Sequence, residues 1–259
     1  MIAFPRLRPL AALAALAVLT AGPRGAAAQR PSGAPATPRT AVNQVVFSDA
    51  TFADADWTIV HSFGLLAAGQ VATGGNPGSY RQVALAVGQN VPFVGQLNRT
   101  FVYDPSARGA VLGITYNFDL ITTNAEGASY APLVEQNGRF YVDGLSAGNA
   151  STNAWTHHDL VLDLADFGEL TITPLHALVF NPASTPDFSA TGSALTFGYE
   201  VTAGGGGFFT SVTGIDNDPI TVVTAPRFQV VPEPAPVALV GSAAATLLGL
   251  AWRRARAGR

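Results

Sequence analysis

The sequence predicts an all-β fold for this 259-residue chain, a single jelly-roll β-sandwich formed by residues 41–230. Short runs rich in β-branched and aromatic residues recur there. Several alternate between apolar and polar positions, which is the pattern of half-buried strands. Turn-forming segments such as TGGNPGS, DPSARG and NPASTPD separate the runs. No stretch shows a helical stripe, and LDLADFG is expected to form at most one short turn.

The predicted strands follow one another at short intervals. In chain order they are NQVVFSD, DWTIVHSF, RQVALAVG, RTFVYD, AVLGITYNFDLI, RFYVDG, HDLVLDL, ALTFGYEVT and ITVVT. Alternation along DWTIVHSF places Trp57 on one face with Ile59 and His61, so we expect Trp57 in the core. The first and last strands of a jelly roll usually lie side by side, so we expect NQVVFSD beside ITVVT.

Charge is distributed unevenly along the chain. There is no lysine, and residues 41–231 hold five arginines against sixteen of the seventeen acidic residues, which leaves a net charge of −11. A surface this acidic repels phosphate backbones and attracts divalent cations, so the composition argues against nucleic-acid binding. The chain has no cysteine, which excludes disulfides, thiolate metal sites and cysteine nucleophiles.

Residues 1–28 are predicted to be a cleaved secretion signal for the secretion translocon. The positive Arg6 and Arg8, an apolar run at 10–21 and a small-residue cleavage site from Ala26 to Ala28 occur in the required order. The alternative is an N-terminal membrane anchor, for which the apolar run is short. Residues 29–40 are rich in proline, glycine and small polar residues, so we expect a flexible spacer.

Residues 231–259 close the chain with an uncharged apolar stretch followed by arginines. Pro234 and Pro236 prevent a helix from extending backwards, so we expect a transmembrane helix over about residues 237–252. The positive-inside rule places the arginines in the cytoplasm and the body outside. These arginines include Arg253, Arg254 and Arg256.

This tail resembles the PEP-CTERM sorting signal of Gram-negative bacteria, which joins a Pro-Glu-Pro, a transmembrane stretch and terminal arginines in that order. The resemblance implies that Pro232, Glu233 and Pro234 form the recognition triplet. It also implies that exosortase, a processing enzyme of the inner membrane, removes the tail from the anchored precursor. The alternative is an ordinary membrane tail with a chance Pro-Glu-Pro. We therefore expect an exported protein of the cell surface or extracellular matrix.

The body resembles a bacterial secreted domain that is frequently paired with this signal. That domain is similar to laminin-G, concanavalin-like and carbohydrate-binding jelly rolls. The matching segments are GGNPGSYR, VYDPSARGAVLGITYNFDL, PDFSATGSALTFGYE and VTGIDNDPITV. The resemblance implies a β-sandwich without an assigned activity, and TAGGGGFFTSV departs from the more polar turn expected there.

Two acidic clusters, one at each end of the body, are candidate ligands for a structural calcium ion. The candidates are Asp49, Asp54, Asp216, Asn217 and Asp218. Their oxygens are the hard ligands that Ca²⁺ prefers, and pairing of the first and last strands would bring the clusters together. The alternative is that they are turn formers whose side chains cap backbone amides, since the spacing of an EF-hand is absent.

Three residues are candidates for contact with a sugar ligand. Trp155 lies in the polar segment GNASTNAWTHHD, Tyr80 offers a second aromatic face, and Arg81 is one of few cations in an acidic body. The alternatives are that Trp155 anchors a loop to the sandwich and that Arg81 pairs with a carboxylate.

Catalysis has the least support in the sequence. HHD at 157–159 has no third metal ligand at a diagnostic spacing, and H-E-x-x-H and phosphate-loop motifs are absent. We predict a structural or adhesive protein, not an enzyme, that is associated with exopolysaccharide or biofilm. The alternatives are a carbohydrate-binding module for self or environmental polysaccharide and, third, a glycosidase or esterase on the same scaffold.

Overall fold

The computed structural model describes residues 42–226, apart from 124–126, 145–146 and 205–206. Strands dominate it, with a 3-10 turn at Asp54–Asp56 and one helical turn, α1, at Pro105–Arg108. The strands are β1 Asn43–Phe47, β2 Trp57–Phe63, β3 Leu65–Gly75, β4 Gly78–Val87, β5 Phe93–Tyr103, β6 Val111–Thr122, β7 Ala128–Gln136, β8 Arg139–Asp143, β9 Gly148–Asn149, β10 Ser151–Thr152, β11 Thr156–Leu162, β12 Phe167–Ile172, β13 Leu178–Asn181, β14 Leu195–Ala203, β15 Phe209–Asp216 and β16 Ile220–Thr224.

The strands form two sheets that share one apolar core, so the predicted all-β sandwich is confirmed. The first sheet has the order β1-β16-β6-β15-β4-β3, with β10 and β11 also paired to β6. The second sheet has the order β13-β12-β8-β7-β14-β5-β2, with β9 paired to β7. Pairing is antiparallel apart from the two-residue contact of β10 with β6, which suits a chain of strands joined by short turns.

β15 and β16 follow one another along the same edge of β6. Ile215 lies opposite Leu120, and Ile220 lies opposite Tyr116, so the register continues across residues 217–219 with a shift of one residue. Asn217 has a positive φ of 48° at this kink, a conformation that Asn adopts more readily than most residues. The kink interrupts one long strand and separates its two halves.

The chain enters and leaves the sandwich at the same end. β1 pairs with β16, with Asn43 opposite Thr224, as the sequence predicted for the first and last strands. Phe209, at the start of β15, pairs with Val87 at the opposite end. That opposite end, termed the tip, is formed by the β2–β3, β4–β5 and β12–β13 connections together with Phe208, which directly precedes β15. At about 3.3 Å per residue along β15 and β16, the tip lies roughly 50 Å from the chain ends.

Aromatic residues fill the space between the sheets. The rings of Tyr116 and Phe118 of β6 meet Tyr199 of β14 edge to face, with 5.5 and 5.6 Å between centroids. Trp57 is only 4% exposed and belongs to this core, as predicted. The prediction that His61 shares its face was wrong, because a bulge between Ile59 and His61 changes the register against β5.

The second sheet curls until its two edges approach each other. Phe63 of β2 stacks on His176 of the β12–β13 connection with 4.9 Å between ring centroids, and His61 meets Phe140 of β8 at 5.1 Å. The curl encloses a second, smaller apolar cluster on the face that points away from the main core. Its buried members are Leu97, Leu133, Val142 and Leu170.

The strand prediction was incomplete. Every predicted run overlaps a strand, but β3, β7, β9, β10, β12, β13, β15 and the first half of β5 were not predicted. LDLADFG does contain a turn, closed by a hydrogen bond from Asp166 N–H to the Asp163 carbonyl, and β12 begins directly after it.

Candidate functional site

The outer face of the first sheet carries a polar cluster built on β6 and β11. The even-numbered residues of β6 from 114 to 120 are buried between the sheets, so alternation turns Asn117 and Asp119 to the outer face. Antiparallel pairing then places His157 opposite Asp119 and Asp159 opposite Asn117. We term Asp119, His157, Asp159 and the amides bonded to them the outer-face cluster.

His157 is held between two carboxylates. Its Nδ1 is 2.7 Å from Oδ1 of Asp119, and its Nε2 is 3.2 Å from Oδ1 of Asp159. The hydrogen bond to Asp119 is the largest reason why the pKa of His157 is raised. Burial raises the pKa of Asp119, but hydrogen bonds from Asn217, His157 and Asn76 outweigh burial and leave that pKa lowered. Both shifts favour a protonated imidazole beside an ionised carboxylate.

The second oxygen of Asp119 is fixed by two amide groups. Oδ2 accepts hydrogen bonds from Nδ2 of Asn217 at 2.7 Å and from Nδ2 of Asn76 at 3.0 Å. Asn217 also donates to the Asn76 carbonyl, and the Asn76 N–H donates to Asp216. These bonds tie the β3–β4 hairpin to the kink between β15 and β16, so the outer-face cluster is assembled from four separate parts of the chain.

Trp155 and Tyr80, two of the three predicted sugar-contacting residues, lie together next to this cluster. Their rings meet edge to face with 5.3 Å between centroids, and Trp155 Nε1 donates to the Gly74 carbonyl at 3.2 Å. The Tyr80 ring covers Gly214, where a Cβ atom would lie 2.6 Å from it. Tyr80 is only 8% exposed, whereas Trp155 is half-buried. Trp155 therefore provides most of the accessible aromatic surface.

Arg81, the third predicted contact, lies between the sheets and is 3% exposed. Its Nε donates to Gln96 at 2.6 Å and its Nη1 to Asp54 at 3.0 Å. Its Cζ lies 5.1 Å from the centroid of the Trp57 ring, within range of a cation–π contact. The structure therefore separates Arg81 from Trp155 and Tyr80 and places it with a carboxylate.

Two of the five predicted calcium ligands meet where the first and last strands pair. The Asp49 N–H donates to Oδ1 of Asp218 at 3.2 Å. The carboxylate of Asp49 itself already accepts hydrogen bonds on both oxygens, from Thr51, Phe52, Trp57 and Asn98. Asp54 pairs with Arg81, whereas Asp216 and Asn217 belong to the outer face.

Asp218 differs from the other four because one of its oxygens is buried without a donor. It is 1% exposed, and its Oδ2 has no hydrogen-bond partner among the described residues. Burial is the largest reason why its pKa is raised well above the ordinary range. Within the described ranges, no group of three acidic or histidine side chains is arranged to hold a metal ion. The hydrogen bonds of these residues fit turn formation better than a cation site, so of the two alternatives for the acidic clusters we keep turn formation as the expectation.

The outer-face cluster is better suited to binding than to proton transfer. Both ring nitrogens of His157 are engaged by carboxylates, so neither is free to take a proton from a substrate. The side chains of His157 and Asp159 are nevertheless 58% and 68% exposed. Charged hydrogen-bonding groups beside an aromatic ring can hold the hydroxyls and the apolar face of a sugar.

Sequence reasoning missed Asp119, the centre of the cluster, and a buried pair on the second sheet. His61 Nε2 lies 2.6 Å from Oε2 of Glu200, with both side chains less than 10% exposed. The ring crosses Gly95, where a Cβ atom would lie 2.3 Å from the imidazole. His61 and Glu200 are 139 residues apart, so no local pattern indicates this pair. Asp119 does have a local signal, since polar and aromatic residues alternate in YNFDL.

The predicted processing signals lie outside the described residues. These residues are Ala26, Ala28, Pro232, Glu233, Pro234, Arg253, Arg254 and Arg256. Among the helices that the structure describes, none has the length and apolar character needed to cross a bilayer.

Comparison with known proteins finds similar structures but no family. No family model matches this chain, and no curated protein matches it. A family 11 carbohydrate-binding module from Clostridium thermocellum, in complex with a β-1,3-1,4-mixed-linked tetrasaccharide, is 15% identical with a TM-score of 0.41. That match covers 73% of this chain and 99% of the module.

Two further solved structures are similar at the same level. An exo-β-agarase is 14% identical with a TM-score of 0.40, and the match covers 69% of this chain and 25% of the agarase. TmCBM61 in complex with β-1,4-galactotriose is 9% identical with a TM-score of 0.33, over 68% of this chain and 92% of that protein. Those ligands and activities belong to the matched proteins.

Proposed function

We propose that this protein is an exported, non-catalytic β-sandwich that binds polysaccharide of the cell envelope or extracellular matrix. The observation that carries the proposal is the half-buried Trp155, braced by Tyr80, beside the exposed His157 and Asp159. The indole offers a flat apolar surface to a sugar ring, and the neighbouring groups exchange hydrogen bonds with its hydroxyls. The net charge of −11 in residues 41–231 favours neutral polysaccharides over polyanions.

Glycan-array binding by the full-length chain tests this proposal. Trp155→Ala and Asp159→Asn should each weaken the binding of a neutral glycan by about tenfold or more, the effect of losing roughly 1.4 kcal/mol of binding free energy. Trp155 also bonds to Gly74, so its replacement disturbs the adjoining hairpin. Asp159→Asn keeps the shape of an exposed side chain and serves as the variant with an intact fold. Full binding by both variants, or no glycan bound by the wild type, would overturn the proposal.

We further propose that the chain is an exosortase substrate that is anchored in the inner membrane before it reaches the surface or matrix. The support is the ordered sequence of a secretion signal, the Pro232–Pro234 triplet, an apolar stretch and terminal arginines. Mass spectrometry of the protein from cells with and without the processing enzyme measures removal of the tail. Tail loss should require the enzyme, and a tail retained equally in both strains would rule out this route.

A further inference from the structure

The tip of the sandwich carries two adjoining pockets. One has a volume of about 400 Å³ and lies between the β4–β5 and β12–β13 connections. The other has a volume of about 580 Å³ and lies between the β4–β5 connection, the β2–β3 connection and Phe208. Gln89 and Asn90 line both pockets, so the pockets meet at the β4–β5 connection. Each volume lies within the range of small-molecule sites.

The described lining of both pockets contains no Asp, Glu or Arg, although residues 41–231 carry a net charge of −11. His176 is the one titratable side chain among these described lining residues. A charged ligand would lose hydration there without meeting an opposite charge, whereas an uncharged ligand would not. The tip therefore selects for a neutral ligand.

Exposed apolar side chains line the pockets beside the shared amides. Leu175 is 85% exposed, Phe208 is 82% exposed and Val91 is 57% exposed. An apolar surface that faces water next to hydrogen-bonding groups suits a ligand with apolar faces and hydroxyl edges. A sugar ring has both features, and an amide side chain supplies both a donor and an acceptor for its hydroxyls.

Part of the site is already fixed in place. The His176 ring, which lines the smaller pocket, stacks on Phe63, which lines the larger pocket, at 4.9 Å between ring centroids. Phe63 in turn contacts Phe93 in the wall of the smaller pocket, at 6.1 Å. Walls held by ring contacts reduce the ordering that a ligand must impose on binding.

We propose that the tip is a second polysaccharide site, which binds a neutral sugar unit with Phe208 as the stacking surface and Gln89 and Asn90 as hydrogen-bonding groups. This inference rests on the proposed function and adds a site to it. Tyr80 and Val87 mark the two sites on β4, roughly 23 Å apart at about 3.3 Å per residue. Two separate sites would allow one molecule to hold two polysaccharide chains and so to cross-link the polymer.

Calorimetric titration of the full-length chain in nanodiscs tests the tip. The probes are the tetrasaccharides of β-1,4-linked glucose, β-1,3-linked glucose and β-1,4-linked galactose. We expect two sites per wild-type molecule. Phe208→Ala and Asn90→Ala should each weaken one site by about tenfold or more, and Trp155→Ala should weaken the other. Leu112→Ala replaces a 54% exposed apolar side chain at the chain-end side of β6, and this control should leave both sites unchanged.

The outcomes of the titration distinguish the proposed tip site from the proposed outer-face site. A single site that is lost in Trp155→Ala and unchanged in the tip variants overturns the tip site and leaves the proposed function standing. A single site that is lost only in the tip variants supports the tip and overturns the outer face. No sugar binding, together with tip-dependent binding of lipid vesicles or tip-dependent self-association, overturns both. Cross-linking further requires that wild-type protein increase the viscosity of a bound neutral β-glucan and that Phe208→Ala abolish this increase.

Discussion

Asp119 is the residue on which the outer-face cluster depends. Its two oxygens bond to His157 on β11, Asn76 in the β3–β4 hairpin and Asn217 in the kink between β15 and β16. A hydrogen bond to an ionised partner is about twice as strong as one between neutral groups, so this carboxylate holds the three segments more firmly than a neutral side chain would. The orientation of His157 towards the proposed ligand is therefore set from β6.

The contact between His157 and Asp119 should make stability depend on pH. The pKa of His157 is raised in the folded protein. The contribution of His157 to the free energy of unfolding is therefore fully present below about pH 6.5 and is lost as pH rises through the raised pKa. The pKa of Asp119 is lowered, so its contribution is lost only as pH falls below about 3.9. We expect His157→Gln to lower Tm most near pH 5 and progressively less above pH 7. Thermal unfolding of both proteins measures this difference, and an equal loss at every pH would contradict the expectation.

Two buried tyrosines should respond differently to loss of their hydroxyl groups. The Tyr103 hydroxyl donates to the Gly109 carbonyl at 2.7 Å, whereas the Tyr199 hydroxyl has no hydrogen-bond partner among the described residues. We expect Tyr103→Phe to lower the free energy of unfolding by about 1 kcal/mol, and Tyr199→Phe to leave it unchanged or slightly higher. Urea denaturation of the two variants makes the comparison. Equal losses in both would show that the Tyr199 hydroxyl is satisfied.

At the scale of the secondary-structure elements, the backbones of β14 and β5 come close together at Gly198. A Cβ atom there would lie 1.9 Å from the Gln96 carbonyl oxygen, and the register between the two strands shifts between Thr196 and Gly198. We expect Gly198→Ala to lower the free energy of unfolding by about 2–3 kcal/mol, because the clash is with backbone and the strands must separate. Gly204→Ala, where nothing lies within 4 Å, is the matched control for urea denaturation and should cost much less. Similar losses for both glycines would argue against the close approach.

The predicted strands are rich in β-branched and aromatic residues, whereas β15, one of the missed strands, has polar side chains at buried positions. β15 places Ser211 and Thr213 at 0% exposure, and the Thr213 hydroxyl donates to the Ile121 carbonyl. Because these buried side chains are polar, the sequence of β15 does not show the alternation of apolar and polar residues that predicts a half-buried strand. β3 lies at the edge of the first sheet and contains Ala and Gly at many positions, which gives it low β-propensity.

The sequence predicts which residues of the candidate site face away from the core, but not which of them contact one another. Alternation along β6 and β11 shows that Asp119, His157 and Asp159 each face away from the core. The register that brings Asp119 next to His157, 38 residues later in the chain, depends on long-range pairing that local periodicity does not encode. Trp155 was predicted for its place in a polar segment, and its contact with Tyr80 likewise comes from the fold.

At the scale of the whole molecule, the acidic body raises the question of a bound cation. Asp49 has hydrogen-bond donors on both oxygens, and Asp216 accepts from Asn76 and Asn217. Both residues therefore have partners without an ion, and we expect treatment with EDTA to leave Tm unchanged. Thermal unfolding with EDTA, and again after calcium is restored, measures the effect. A fall in Tm of several degrees that calcium reverses would identify an ion, with Asp218 as the first ligand to replace.

The two proposed sites lie at different positions along the long strand formed by β15 and β16. Phe209 is at the tip, Asp216 contacts the outer-face cluster near the middle, and Thr224 lies at the chain ends.

Because Asn43 and Thr224 are direct partners across β1 and β16, their backbones lie about 5 Å apart, close to both ends of the described chain. A sandwich closed in this way can be grafted into a surface loop of an unrelated host protein through two short joints, without stretching either partner. It can also be circularly permuted by joining residues 42 and 226 and opening a turn elsewhere.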